Sequence, residues 1–393
     1  MKKIIIAGAG DGGIILANSL KAKDYEITMI DMQTRHYFQP LLLHIAFEGA
    51  KEKSIDKAKL IPKGAKFINE KIDSIDIENR EVVANGKAYA YDYLVVDTGS
   101  MGDYSKIPGH KALYEEFGDF HSNTQAAQKL YSKVQGFKGG NAVIGISYPT
   151  YKCPPSPLEA AFLFEQYINS KKLKASTHIT FVTPFPRAYP AEPMNEIAEP
   201  LMKQRGIEVK TFFDVESIDT QNKKIFSIEG DEINYDFAAL VPPHVGAGLV
   251  KDNCDEDGFV KADKYTLTIG GHDDAFCIGD ATNIPTSKSA VTAHLEAKVV
   301  EKRIAGIDAR FDGRTNCPFE TGYGKGTFVI SSYTEPVVKL KPSRFNYFMK
   351  KGMAMMAWPA LKGNMDFVFN MYFKHTDPAK LNKKSERAAP EKS

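Results

Sequence analysis

The segment Gly8-Ala9-Gly10-Asp11-Gly12-Gly13 leaves this chain few ways to fold. It follows Ile4-Ile5-Ile6-Ala7, an apolar run of the kind a fully buried parallel strand carries. It opens into Ile14-Ile15-Leu16-Ala17-Asn18-Ser19-Leu20, which reads as a helix. A second strand, Glu26–Ile30, ends in Asp31, and the three pieces make a βαβ unit. In Gly8-x-Gly10-x-x-Gly13 the first glycine permits a tight turn. The second lets the backbone approach a pyrophosphate, and the third lets helix pack on strand. Unpaired N–H groups and a positive dipole at the helix start then face the phosphates. Asp31 stands where an acid meets a ribose diol, and an acid there disfavours a 2′-phosphate. A glycine turn alone is weak evidence. With strand, helix and terminal acid in place, the reading is a dinucleotide site.

The rest of the chain repeats the α/β texture. Residues 67–90 alternate polar and apolar as a small antiparallel excursion, and Tyr91–Gly99 is a buried strand ending in Thr98-Gly99. A second lobe follows: helix Gln125–Val134, strand Asn141–Ile146, helix Leu158–Ile168, strand His178–Val182 and helix Asn195–Gln204. Residues 273–280 return to a buried strand ending in Gly279-Asp280, and helix 289–304 follows. The expected fold class is therefore α/β, with two interleaved Rossmann-like domains. Residues 1–115 with 265–310 form the first domain, and residues 116–264 form the second. Residues 311–375 are an interface region, and 376–393 are a polar, Pro- and Lys-containing tail expected to be disordered.

The second lobe lacks a full glycine turn. Its junction reads Ile144-Gly145-Ile146-Ser147-Tyr148-Pro149-Thr150-Tyr151-Lys152-Cys153-Pro154-Pro155-Ser156-Pro157. Only Gly145 remains, so a nicotinamide dinucleotide is not expected there. With 51 basic against 49 acidic residues, nucleic acid is not an expected partner. Four cysteines, none in C-x-x-C spacing, exclude a disulfide scaffold and give no metal site. No apolar stretch is long enough to span a bilayer, and the N-terminus carries no signal-peptide pattern, so a cytoplasmic protein is expected. Cys277 lies in an apolar strand and Cys254 in a solvated loop. Cys153 alone reads as an incidental loop thiol, and Cys317 is its candidate partner.

The Gly279-Asp280 strand end and Thr98-Gly99 resemble flavoproteins with two dinucleotide-binding domains, in which that Asp holds the ribityl chain. The resemblance implies FAD at the first site, held by Gly8, Gly10, Gly13, Asp31, Gln39 and Pro40. Thr98, Gly99, Gly279, Asp280, Lys288 and Ser289 complete that set. The chain also resembles the sulfide:quinone oxidoreductases, most closely their mitochondrial branch. The matching segments are Gly8–Gly13, Tyr37–Pro40, Lys152-Cys153, Ile278–Ala290, Asn316-Cys317-Pro318 and Thr321-Gly322-Tyr323. The likeness implies a redox-active pair of Cys153 and Cys317 beside the flavin, sulfide as donor, and a membrane quinone as acceptor. A third cysteine of some bacterial branches has no counterpart before Cys153. Pro154-Pro155-Ser156-Pro157 also departs from the small-residue loop of the mitochondrial branch. Lys288 reads equally as a solvated lysine and as a source of positive potential for the thiols. Glu159 and His244 are further candidates for proton handling, each with a structural reading beside it.

Between residues 339 and 375 there are seven Lys/Arg against one Asp, half of the Met residues, and Trp358. Phe345–Lys351 and Met353–Trp358 read as amphipathic helices broken at Pro359. The alternative is a Met-rich core helix with a basic rim. The expectation is a monotopic protein on the cytoplasmic face of the cell membrane, with Tyr323, Tyr347 and Phe348 lining a quinone site, and with self-association left open. Competing functions are a type II NADH:quinone oxidoreductase, a sulfide dehydrogenase flavoprotein serving a cytochrome, and a non-catalytic FAD-binding regulator.

Overall fold

The computed structural model describes residues 1–20 and 24–388. Lys2–Ala7 is a strand whose last four residues are buried, and Tyr25–Ile30 and Tyr93–Val96 flank it in parallel register. The intervening helix, Asp11–Ser19, begins three residues earlier than its apolar run because Gly10 is its N-cap. The full sheet has six strands in the order Thr268–Ile269, His272–Cys277, Tyr93–Val96, Lys2–Ala7, Tyr25–Ile30, Lys66–Ile68. The His272–Cys277 strand pairs in parallel with Tyr93–Val96, so a segment remote in sequence completes the first lobe.

The second lobe has a four-stranded parallel sheet in the order Ile207–Lys210, Thr177–Val182, Gly140–Ile146, Phe237–Val241. Each lobe also carries a three-stranded antiparallel meander, at Ile72–Ala90 in the first and Val215–Asn234 in the second. The chain is a mixed α/β fold built from two similar halves.

One helix of the first half is buried in the second. Leu41–Glu48 packs Phe47 against Phe120 and Phe164, whose ring stacks on Phe237 at 4.7 Å. Burying an apolar helix face this way fixes one lobe on the other.

A hairpin, Thr315–Gly322 with Lys325–Ser331, follows the second return to the first lobe. Four helices close the described chain: Arg344–Met355, Ala357–Leu361, Asp366–His375 and Pro378–Ala388. Two expectations are corrected here. Pro359 breaks nothing, because it lies in the first turn of Ala357–Leu361, where its missing N–H has no intrahelical acceptor to lose. The tail is helical from Pro378 to Ala388. Asp377 accepts from the amides of Ala379 and Lys380 and pairs with Arg314, and Leu381 packs near Phe328 and Val338. Those contacts outweigh a polar composition; residues 389–393 lie outside the described part. Among the described residues no helix is long and apolar enough to cross a membrane.

Candidate redox site

Gly8 has φ +105°, and a Cβ there would stand 2.2 Å from the carbonyl oxygen of Asp97. No other residue fits that turn. The amides of Gly10 and Gly13 donate to Asp97 Oδ2 at 3.1 and 2.7 Å. Asp97 is fully enclosed, and burial pushes its carboxyl up to about 8. Sequence reading took Thr98 and Gly99 from this strand end and missed the aspartate before them. Ala9 N–H donates to Asp31 Oδ2 at 2.8 Å, and Lys57 Nζ lies 2.6 Å from the same oxygen. Gln39 and Pro40 lie at the start of the Leu41–Glu48 helix, with Pro40 as its N-cap.

At the other strand end Gly279–Ala281 forms a short 3-10 turn. Glu296, from the Ala290–Ile304 helix, accepts the Gly279 amide at 2.6 Å, while its Oε1 has no partner among the described residues. Burial pushes Glu296 up to about 8. Asp280 is likewise raised by burial, against the pull of Lys152 and Lys288. Ser289 caps its helix by accepting from Thr292 N–H. A backbone cradle that rejects side chains, an acid at the second strand and two further buried acids fit a bound dinucleotide.

Cys153 and Cys317 are brought together from different halves. Both are free thiols, Cys317 is close enough to act on Cys153, and Tyr189 faces both. Cys153 sits at φ +54°, a left-handed conformation rare for a side-chain-bearing residue, and its N–H donates to the Lys288 carbonyl at 2.9 Å. Burial pushes its thiol up to about 12, with Glu159 and Cys317 adding to the rise and Ser156 and Lys350 opposing it. Cys317 lies buried on the Thr315–Gly322 strand, 3.3 Å from Ser287 Oγ and 3.4 Å from Thr315 Oγ1.

Lys288 is directed away from the thiols. Its ammonium donates to the Asp280 and Thr282 carbonyls at 3.1 and 2.5 Å and lies 4.0 Å from the Phe259 ring centre. The cation acting on Cys153 is Lys350, from the Arg344–Met355 helix, which sequence reading missed. Lys350 pairs with Glu159 and, at 3.5 Å, with Glu320; Glu159 also accepts the Glu320 amide at 2.6 Å. Burial lowers the Lys350 ammonium, yet the two carboxylates outweigh it and hold its pKa above the ordinary lysine value. His44 extends the cluster outward, 3.7 Å from Glu320 and 2.8 Å from Glu48. His244 is held below ordinary, to about 3, by burial, and its Nδ1 is 2.9 Å from the Pro242 carbonyl. No motif announces Lys350, because its partners lie on elements far away in sequence.

The three aromatic candidates are not one lining. Tyr323 turns to the Ser156–Ser170 helix, its hydroxyl donating to Glu165, with Arg205 against its ring. Tyr347 and Phe348 are on the Arg344–Met355 helix, and Phe348 is exposed.

The family model described as pyridine nucleotide-disulphide oxidoreductase matches residues 2–297. The mitochondrial sulfide:quinone oxidoreductase of Dictyostelium discoideum is 27% identical over 379 residues, covering 89% of this chain and 83% of that protein. Its Mus musculus counterpart is 26% identical over 362 residues, covering 86% and 80%. The solved sulfide:quinone oxidoreductase of Aquifex aeolicus superposes with a TM-score of 0.77 at 21% identity, covering 92% of each chain.

Proposed function

We propose that this chain, which belongs to the pyridine nucleotide-disulphide oxidoreductase family, is a flavoenzyme that oxidises sulfide at Cys153 and Cys317 and passes the electrons to a membrane quinone. The observation carrying this is the convergence of two thiols on the loop where a second glycine turn would otherwise stand. The names of the mitochondrial relatives point to the same donor and acceptor.

FAD is the cofactor the cradle suits. Gly8, Gly10 and Gly13 with the following helix start would hold its pyrophosphate, Asp31 its ribose, and Asp280 its ribityl chain. Gln39, Pro40, Thr98, Gly99, Gly279, Lys288 and Ser289 belong to the surrounding loops. When bound, the flavin supplies a two-electron acceptor that a quinone can reoxidise.

The protein's own part is sulfur chemistry. In the oxidised pair, hydrosulfide attacks the Cys317 sulfur, a new S–S bond forms, and the Cys153–Cys317 bond breaks. The electron pair of that bond stays on Cys153 as thiolate, and Cys317 carries the persulfide. Lys350 and Ser156 partly offset the burial, Glu159 and Cys317 that disfavour charge on Cys153. A thiolate whose conjugate acid is so weak gives up its electrons readily. Lys288 positions this step through its carbonyl, which fixes the Cys153 backbone. The Glu159–Lys350–Glu320–His44 cluster gives protons a route from the thiols toward Glu48.

An NADH-dependent reading has less support. A Cβ at Gly145 would meet the Val182 carbonyl at 2.0 Å, so that glycine serves strand packing, and prolines stiffen the rest of the loop. The acceptor side faces the bilayer through the C-terminal helices, where Phe345, Phe348, Met355, Phe367, Val368 and Met371 are exposed among Lys341, Arg344, Lys362 and Lys374.

Stopped-flow absorbance tests the proposal. Sulfide bleaches the flavin and NADH does not; the reverse result overturns it. Cys317→Ser retains bound FAD and loses sulfide-driven bleaching.

A further inference from the structure

We propose that Ser156 and His121 form a neutral hydrogen-bond donor chain that stabilises the Cys153 thiolate released when the cysteine pair opens. The inference rests on the sulfide reading above, in which Ser156 already acts on Cys153, and it adds His121 from outside that site.

Ser156 folds back on the thiol. Its amide and its Oγ both donate to the Cys153 carbonyl, at 3.0 and 2.9 Å, and the side chain works against the rise of the thiol. His121, on the loop between the His110–Phe117 and Thr124–Gly136 helices, places Nε2 2.6 Å from Ser156 Oγ. The ring is 4% exposed, and its Nδ1 has no partner among the described residues.

These contacts fix the protons. A charged imidazole must place two N–H donors, and here only one has an acceptor. Burial holds His121 well below its ordinary value, and His244 and Lys152, which face it, add to that. The ring is therefore neutral. Ser156 has one hydroxyl proton, committed at rest to the Cys153 carbonyl. Nε2 must then carry the proton of the His121–Ser156 bond, and the unpartnered Nδ1 is a bare acceptor.

Opening the pair puts charge on Cys153. The Ser156 hydroxyl proton then turns from the carbonyl to the sulfur, while the Ser156 amide keeps the carbonyl satisfied. His121 continues to donate to Ser156 Oγ and polarises it. No proton changes owner. The bond that breaks is Cys153–Cys317, and the bond that forms joins hydrosulfide to Cys317. Ser156 turns its proton to the reacting sulfur in this step, and His121 is a positioning residue.

The other groups facing Cys153 are Glu159 and Cys317, which raise it, Lys350, which lowers it, and the phenols Tyr151 and Tyr189. None of them is changed in the test. The reduced, flavin-loaded protein is alkylated with iodoacetamide from pH 6 to 10, and Cys153 modification is followed by peptide mass spectrometry with Cys254 as reference. Ser156→Ala removes one oxygen. It lowers the whole Cys153 rate–pH profile about tenfold across this range, all of which lies below the thiol's midpoint. His121→Phe moves it the same way, and His121→Gln, which keeps an N–H donor and cannot take up a proton, restores most of the rate. An unmoved profile in Ser156→Ala overturns the proposal, as does His121→Gln reacting as slowly as His121→Phe. Sulfide bleaching of the same wild-type sample is read separately. Its absence defeats the sulfide reading and leaves the thiolate profiles to judge the donor chain.

Discussion

Asp97 ties the nucleotide turn to the strand beside it, and it does so at a cost that depends on pH. Its carboxyl is held at about 8 by burial, whereas an unfolded aspartate titrates near ~4. Between those values the folded chain binds more protons than the unfolded one, so stability present below pH 4 is lost as pH rises toward 8. Glu296 acts in the same window. Burial raises Asp280 as well, so Asp97→Asn, which keeps an oxygen for the Gly10 and Gly13 amides, removes one of three such titrations. The fall in stability from pH 5 to pH 8, measured by urea unfolding of the cofactor-free protein, becomes less steep. A slope equal to the wild-type slope refutes this. The glycines of the turn were legible in the sequence because a steric requirement singles out one residue type. Asp97 was not, because an aspartate after a strand has no mark of its own until the fold encloses it.

The Arg344–Met355 helix shows how an element can read two ways. Its outward residues, Phe345 and Phe348, match the amphipathic pattern, but Lys350 points inward to Glu159 and Glu320. A basic residue in a basic stretch looks solvated until strand and helix partners from elsewhere surround it. Lys350→Met leaves two buried carboxylates facing each other without a cation, which costs about 3–5 kcal/mol by denaturant unfolding. Adding Glu159→Gln removes one of those charges and recovers part of the loss. A double variant as unstable as the sum of the singles would show that the pair does not interact. Buried strands were read correctly because continuous apolar runs such as Ile4–Ala7 need no knowledge of their neighbours. The helical tail after Pro378 was misread because its anchors, Arg314 and the Phe328–Val338 cluster, are distant in sequence.

At the scale of the molecule, two halves meet so that the thiols and the nucleotide cradle share one region, and the C-terminal helices cover it from the side. His36, paired with Asp11 at 2.8 Å, and Phe38 both pack edge-on against Trp358, and Lys53 donates to the Ala354 carbonyl. The helices are thus fastened to the cradle on one side while the other presents Phe345, Phe348, Phe367 and Met371 to solvent. An exposed apolar group among basic residues is where a lipid surface would bind. Removing the whole segment would also remove Lys350 and expose the thiols, so loss of membrane binding by truncation would prove little. Phe345→Ser with Phe348→Ser changes only exposed side chains. Fully burying one Phe contributes ~1.5–3 kcal/mol, so if half of that is realised at a headgroup boundary, two losses weaken partition at least tenfold. The double variant therefore shifts from pelleted to supernatant fractions with anionic vesicles. Its melting temperature and its sulfide-driven flavin bleaching in detergent stay at wild-type values. If it pellets like the wild type, these helices do not hold the protein on the bilayer, and the quinone must reach it from another face.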